Sequence, residues 1–216
     1  MPHMEGEQEI DGLRFWNGEG CVYLLECDPA LNAMLLERCE PGTPLFTIPE
    51  DDQDVVIATM LKRFWKTPPA NKFRPLSSLI DYWRQETLAA VDDWPDPGLV
   101  NAGLNTMQQL AASADSDVLL VTDLHAGNVL RAQREPWLMI DPKPFVGDPA
   151  YDATQHLFNC ESRLQSDPVA LISRMADLCE LDAQRVRFWF FARAAAEPRM
   201  DWKNSWKLPL ARRLAP

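Results

Sequence analysis

Residues 118–148, VLLVTDLHAGNVLRAQREPWLMIDPKPFVGD, constrain the fold more than any other part of the chain. Two short apolar runs, VLLV and WLMI, each lead into an aspartate: Asp123 after the first, Asp141 after the second. Runs this short, bounded by turn residues, read as buried strands. The segment VLRAQREPWLMID reads as strand, polar turn, strand, and such a hairpin returns the chain beside its start. The five residues from Asp123 to Asn128 can curl so that both side chains face one point. The hairpin then brings Asp141 next to Asn128, and an acid, an amide and a second acid surround one small volume.

The remainder reads mostly as helix. Residues 4–16 carry Ile10, Leu13 and Trp16 on one face, and NGEG stops the run at 17–20. CVYLLECD (21–28) and MLLERCE (34–40) read as two strands joined by a short turn, and PGTPL (41–45) as a break. Helices are expected over 51–65, 76–92, 97–113, 149–163, 168–179, 182–197 and 201–213, with the proline-rich 66–75 as a connection. The coarse division is a small part at 1–40 and a helix-rich body at 41–216 with one hairpin inserted in it. Forty residues are too few for an independent core, so the first part must lean on the rest or on something else.

Composition limits the function. The 216 residues are 46% hydrophobic and 25% charged, an ordinary globular balance, and 32 acids against 21 bases give a net charge of −11. Nonspecific nucleic-acid binding needs the opposite sign, so no nucleic-acid partner is expected. An acidic cleft attracts a cationic ligand, although acidity also serves solubility alone. The five cysteines, Cys21, Cys27, Cys39, Cys160 and Cys179, form no CxxC pair, which suits reduced thiols in a cytoplasmic protein. No apolar run has membrane-spanning length, and the polar, acidic MPHMEGEQE does not read as a signal peptide.

Two carboxylates and an amide suit phosphoryl transfer. One carboxylate accepts the proton of an attacking hydroxyl, while an amide oxygen and a second carboxylate hold Mg²⁺ on nucleotide phosphates. VTDLHAGNVL and IDPKPFVGDPAYDA resemble the catalytic loop and the metal-binding segment of the protein-kinase-like fold, in its antibiotic-kinase branch. The usual form of that loop is His-Gly-Asp-Leu-His-x-Gly-Asn. WLMIDPKPFVGDPAYDATQHL is most similar to the aminoglycoside/hydroxyurea phosphotransferases, which include the streptomycin 6-phosphotransferases. The likeness is dense over 118–157.

The resemblance implies an α+β, protein-kinase-like fold: a mostly helical C-terminal lobe with a remnant of the N-terminal β lobe. It implies ATP and Mg²⁺ as cofactors, Asp123 as catalytic base, and Asn128 and Asp141 as metal ligands. Asp148 and Asp152 match the GDPxYD segment. Asp148 also suits a helix N-cap and Asp152 a first turn. His125 reads as a brace for the loop, and Lys143 as either a phosphate ligand or a surface lysine. Residues 4–16 correspond to the helix that carries a glutamate, Glu9 first and Glu5 second. Residues 37–40, with Glu37 and Cys39, correspond to the adenine-binding hinge.

Two departures matter. Val121 and Thr122 stand where the loop pattern has histidine and glycine. No glycine-rich loop precedes the first helix and no lysine precedes Lys62. Relative to a typical family member, about 80–100 residues of the small lobe are missing, given usual domain sizes. Three accounts are open: a fragment, the favoured one; a natural short homologue with lost ATP affinity; or a dimer in which another chain supplies strands along the exposed edge. Weak ATP binding is expected of the 216 residues alone. The acceptor, a cationic small molecule of aminoglycoside type, is expected against Asp201, Glu197 and Trp202, with Asp81 or Glu86 as further acids that pair with ammonium or guanidinium groups. The alternative function is a non-catalytic binding protein that keeps the acceptor cleft without ATP turnover.

Overall fold

The structure is a computed structural model that describes residues 8–31, 33–196 and 205–216. Glu5, Glu197, Asp201 and Trp202 lie outside the described residues. The first described helix, α1 (Glu9–Trp16), buries Leu13 and Trp16 and ends at Asn17 in a left-handed conformation. The hairpin of β1 (Leu24–Asp28) and β2 (Ala33–Leu36) follows, pairing Cys27 with Met34 and Asp28 with Ala33. It leaves Leu25, Leu31 and Leu35 exposed.

The body begins with α2 (Glu50–Phe64), which carries Glu50, Asp51 and Asp52 in its first turn, where the positive end of the helix dipole favours them. Next come α3 (Leu76–Ala89) and α4 (Pro97–Ala112). Two antiparallel pairs organise residues 118–147. β3 (Val118–Leu120) pairs with β6 (Phe145–Gly147), and between them β4 (Val129–Arg131) pairs with β5 (Trp137–Met139). The chain closes with α5 (Pro149–Asp152), α6 (Glu161–Ser166), α7 (Pro168–Cys179), α8 (Ala183–Ala196) and α9 (Lys207–Leu214). Three of these helices start alike. Asp96, Asp148 and Asp167 each cap a helix through a backbone N–H, and each is followed by proline at the first helical position.

The architecture is α+β, as the sequence implies, with two corrections. The body contains a second strand pair, because residues 145–147 return to β3; so short a strand leaves no readable periodicity. Residues 149–163 do not form one helix. They break after Asp152 into turns and a 3₁₀ turn at Leu157–Asn159 before α6 begins. In this stretch Asp152 and Gln155 both bond the loop at 121–123, and His156 bonds Asp54 on α2.

The β4–β5 hairpin carries the first forty residues. Val22 N–H donates to the Met139 carbonyl (3.0 Å) and Met139 N–H to that of Gly20 (2.8 Å) on one side. On the other, Arg131 N–H donates to the Thr43 carbonyl at 2.8 Å. From the hairpin's turn, Arg134 bonds the carbonyls of Gly18 and Cys21 and both carboxylate oxygens of Glu37, and it lies 4.2 Å from the Tyr23 ring centre. Side chains of the body thus complete a part too small to fold alone.

The core centres on α8, where Trp189, Phe190 and Phe191 are all buried and Phe188 is half-buried. Its seam with α4 closes at Gly103, where a Cβ would meet Ala195 Cβ at 2.7 Å and the Ala192 carbonyl oxygen at 3.1 Å. Gly103→Val is expected to overpack this seam at a cost of about 2 kcal/mol. Thermal melts should show Tm lowered by roughly 2–4 °C per kcal/mol at this chain size. An unchanged Tm would mean that the two helices part without penalty.

Candidate active site

Asp123 stands three residues beyond β3, and Asn128 directly precedes β4. The loop between them is closed by Asn128 N–H donating to the His125 carbonyl (2.9 Å) and Gly127 N–H to His125 Nδ1 (3.0 Å). The Asn128 carboxamide donates to the backbone oxygen of Asp123 at 3.1 Å and to its Oδ2 at 3.4 Å. Those two bonds orient the amide and turn its oxygen away from Asp123. Ile140 N–H donates to the Asn128 carbonyl at 2.9 Å, which sets Asp141 beside the loop. The structure therefore brings Asp123, Asn128 and Asp141 together. Their oxygens are the donor chemistry that a hard divalent cation takes, and the outward amide oxygen fits such an ion.

The loop is stitched to the second segment. Lys143 N–H donates to the Val121 carbonyl (2.9 Å), and the Thr122 hydroxyl donates to the Lys143 carbonyl. Thr122 (φ 56°) and Asp141 (φ 55°) both occupy the left-handed region. For a β-branched threonine this is a strained position, of order 1–3 kcal/mol, held only when neighbours over-determine it. Asp152 supplies that hold. Its fully buried carboxylate accepts from Val121 N–H (2.8 Å), Thr122 N–H (2.7 Å) and the Trp65 indole (3.1 Å). Burial pushes the Asp152 carboxyl up to about 6, against the pull of these donors. Asp148 caps α5 through Ala150 N–H and takes Arg185 and Trp189 on its other oxygen.

The charges in the site compete. Burial raises the Asp123 pKa, His125 opposes the rise and Asp141 adds to it. Burial lowers that of His125, whose Nε2 stands 3.9 Å from Asp123 Oδ1, beyond hydrogen-bonding reach. Lys143 contacts the Asp141 carboxylate and lies 3.5 Å from Glu9. Burial opposes its charge, but these two acids outweigh burial and hold its pKa above the ordinary lysine value. Glu9 is raised by burial, with Lys143 opposing.

The hinge candidates lie apart from this cluster. The Glu37 carboxylate holds Arg134 and Tyr23 N–H, and its backbone N–H is bonded to the Tyr23 carbonyl, so neither group is free to face a base. Cys39 is half-buried three residues past β2. Asp81 and Glu86 are exposed on α3.

Sequence reasoning passed over Gln155, which donates to Asp123 Oδ1 at 2.8 Å, and Arg193, which holds Gln155. It also passed over Trp65. None of the three carries a local signal, because each reaches the site through the fold. Asp54, His156 and Cys160 also cluster closely enough to hold a metal, but the chemistry is wrong. Arg163 and Arg174 already occupy the Asp54 carboxylate, and burial pushes the Cys160 thiol up to about 11. These groups cross-brace α2 against α6 and α7.

The fold is shared with small-molecule kinases. The choline kinase LicA of Streptococcus pneumoniae superposes with a TM-score of 0.68 at 13% identity, covering 97% of this chain and 79% of that one. The aminoglycoside phosphotransferase APH(3'')-Id of Streptomyces rimosus gives 0.56 at 18% identity, covering 86% and 77%. Together they define a protein-kinase-like fold. More narrowly, residues 2–200 match the model of the aminoglycoside/hydroxyurea antibiotic resistance kinases, and the chain belongs to that family. It is 36% identical over 206 residues to a streptomycin 6-kinase of Streptomyces glaucescens, covering 89% of this chain and 66% of that protein. It is 33% identical over 200 residues to a hydroxyurea phosphotransferase of Kitasatospora aureofaciens, covering 89% and 58%. The chain thus spans just under two thirds of the streptomycin kinase's length. No helix among the described residues is long and apolar enough to cross a membrane.

The Asp54 brace gives a pH-dependent prediction. Burial opposes ionisation of Asp54, but hydrogen bonds from His156, Arg163 and Arg174 outweigh it and hold the carboxyl well below 3.8. Its contribution is therefore complete above the unfolded value and lost as pH falls below it. Asp54→Asn leaves two guanidinium groups facing a neutral amide, at an expected cost of about 3 kcal/mol near neutral pH. Urea titrations should show the gap between wild type and variant narrowing as pH drops below 3.8; a gap that widens there would refute the account.

Proposed function

We propose that the protein carrying this chain transfers the γ-phosphoryl group of ATP to a hydroxyl of a cationic antibiotic of the streptomycin type, or of hydroxyurea. The observation that carries this reading is the convergence of Asp123, Asn128 and Asp141 through one loop and one hairpin, in a chain of the aminoglycoside/hydroxyurea kinase family. Asp123 accepts the hydroxyl proton as the oxygen attacks phosphorus. Its partly buried setting raises its basicity, which suits a general base. Asn128 and Asp141 would hold Mg²⁺, which when bound offsets the charge on the nucleotide phosphates. Lys143, fixed between Glu9 and Asp141, supplies a positive charge beside the same place. The net charge of −11 favours approach of a cationic acceptor.

The test is transfer of labelled phosphate from ATP to streptomycin and, separately, to hydroxyurea by the purified protein. Asp123→Ala should lower kcat by about 10²–10⁴-fold, the usual contribution of general base catalysis. Turnover at the wild-type rate would remove Asp123 from its role. Binding of either acceptor with no phosphate transfer and no Mg²⁺-dependent ATP binding by calorimetry would favour the binding-protein alternative.

A further inference from the structure

Asp123 is short of direct restraint on its own loop. The torsion that rotates a carboxylate about its last bond is soft and nearly two-fold. The Asn128 amide approaches Oδ2 only at 3.4 Å, and His125 stays at 3.9 Å from Oδ1. The one short bond to the carboxylate among the described residues comes from outside the loop: Gln155 Nε2 donates to Oδ1 at 2.8 Å.

A glutamine amide faces either way unless something settles it, because its oxygen and nitrogen are nearly the same size. Here Arg193 settles it. A guanidinium only donates, and one of its nitrogens lies 2.7 Å from Gln155 Oε1, so the NH₂ end must face Asp123. Arg193 is itself held. It donates to the Thr154 hydroxyl at 2.6 Å, lies 4.5 Å from the Tyr151 ring centre and 4.9 Å from that of Phe158, and is 4% exposed. Thr154 in turn donates to the Tyr151 carbonyl at 2.6 Å. The turns at 153–160, where one helix was expected, put Gln155 between α8 and the catalytic loop.

We propose that Gln155, polarised and oriented by Arg193, is a positioning residue that sets the Asp123 carboxylate for proton acceptance. The inference rests on Asp123 being the base. Arg193 fixes the amide and the amide fixes the carboxylate, so helix α8 bears on the reacting geometry through Gln155.

The experiment compares Gln155→Leu and the isosteric Gln155→Glu in the purified protein with MgATP and streptomycin. The glutamate variant keeps the volume, removes the donor and sets a second carboxylate against the first. Both should lower kcat on the order of 100-fold, as a misplaced catalytic group does, with both KM values within about twofold. In an Asp123→Asn background, adding Gln155→Leu should cause no further loss, since a residue that acts through Asp123 has nothing left to orient. Wild-type kcat in both variants, or a full additional loss on the Asp123→Asn background, overturns the proposal. Wild-type kcat in Asp123→Asn itself overturns the base assignment, a separate result. Crystal structures of the 216-residue chain and its Gln155→Leu variant decide the positioning independently of turnover. Rotation of the Asp123 carboxylate in the variant supports it, and an unchanged rotamer overturns it.

Discussion

The Asp152 carboxylate, fully buried, gathers two consecutive backbone N–H groups of the loop that carries Asp123 and the indole of Trp65. The candidate site hangs from that anion. A buried carboxylate is expensive unless donors surround it, and the donors it recruits fix the peptides on either side of Val121. Those two peptides set Val121; Thr122, in the left-handed region, is held beyond them by its hydroxyl bond to the Lys143 carbonyl. The Trp65 bond makes the end of α2 part of the same knot, so the loop is referred to the helical body and not only to its own strands.

A second constraint frames the first. The β4–β5 hairpin starts just after Asn128 and ends two residues before Asp141, so its register sets the spacing between amide and acid. A one-residue slip would turn every side chain of a strand to the other face. The hairpin is pinned against that on both sides, by residues 20–22 along β5 and 42–44 along β4. Arg134 at its turn and Glu9 on α1 link the first forty residues to the same frame, one through backbone carbonyls and Glu37, the other through Lys143.

Legibility in the sequence followed the range of the forces involved. The stretch 118–148 disclosed the acid–amide–acid cluster because hairpin geometry is local. The helix starts were readable at each Asp-Pro pair for the same reason. Residues 145–147 were not readable as a strand, since their partner β3 lies a loop, a hairpin and the segment carrying Asp141 earlier. The break after Asp152 was hidden because propensity favoured helix, while the bonds that hold Asp152, Gln155 and His156 run to residues distant in sequence. Gln155 and Arg193 escaped notice for the most direct reason. Nothing in DATQHL or FFARAA marks a residue whose value depends on a partner 32 or 38 positions away.

Thr122 has a further consequence. The loop pattern of the family has glycine there, a residue at ease with positive φ. Here a threonine takes a positive φ that its β-branched side chain disfavours, and its hydroxyl joins the loop to the segment carrying Asp141. Ease of conformation has been exchanged for a cross-link. The two acids of the site therefore belong to one mechanical unit: a displacement of either segment is felt by the other through this side-chain oxygen as well as through the backbone bond from Lys143 to Val121.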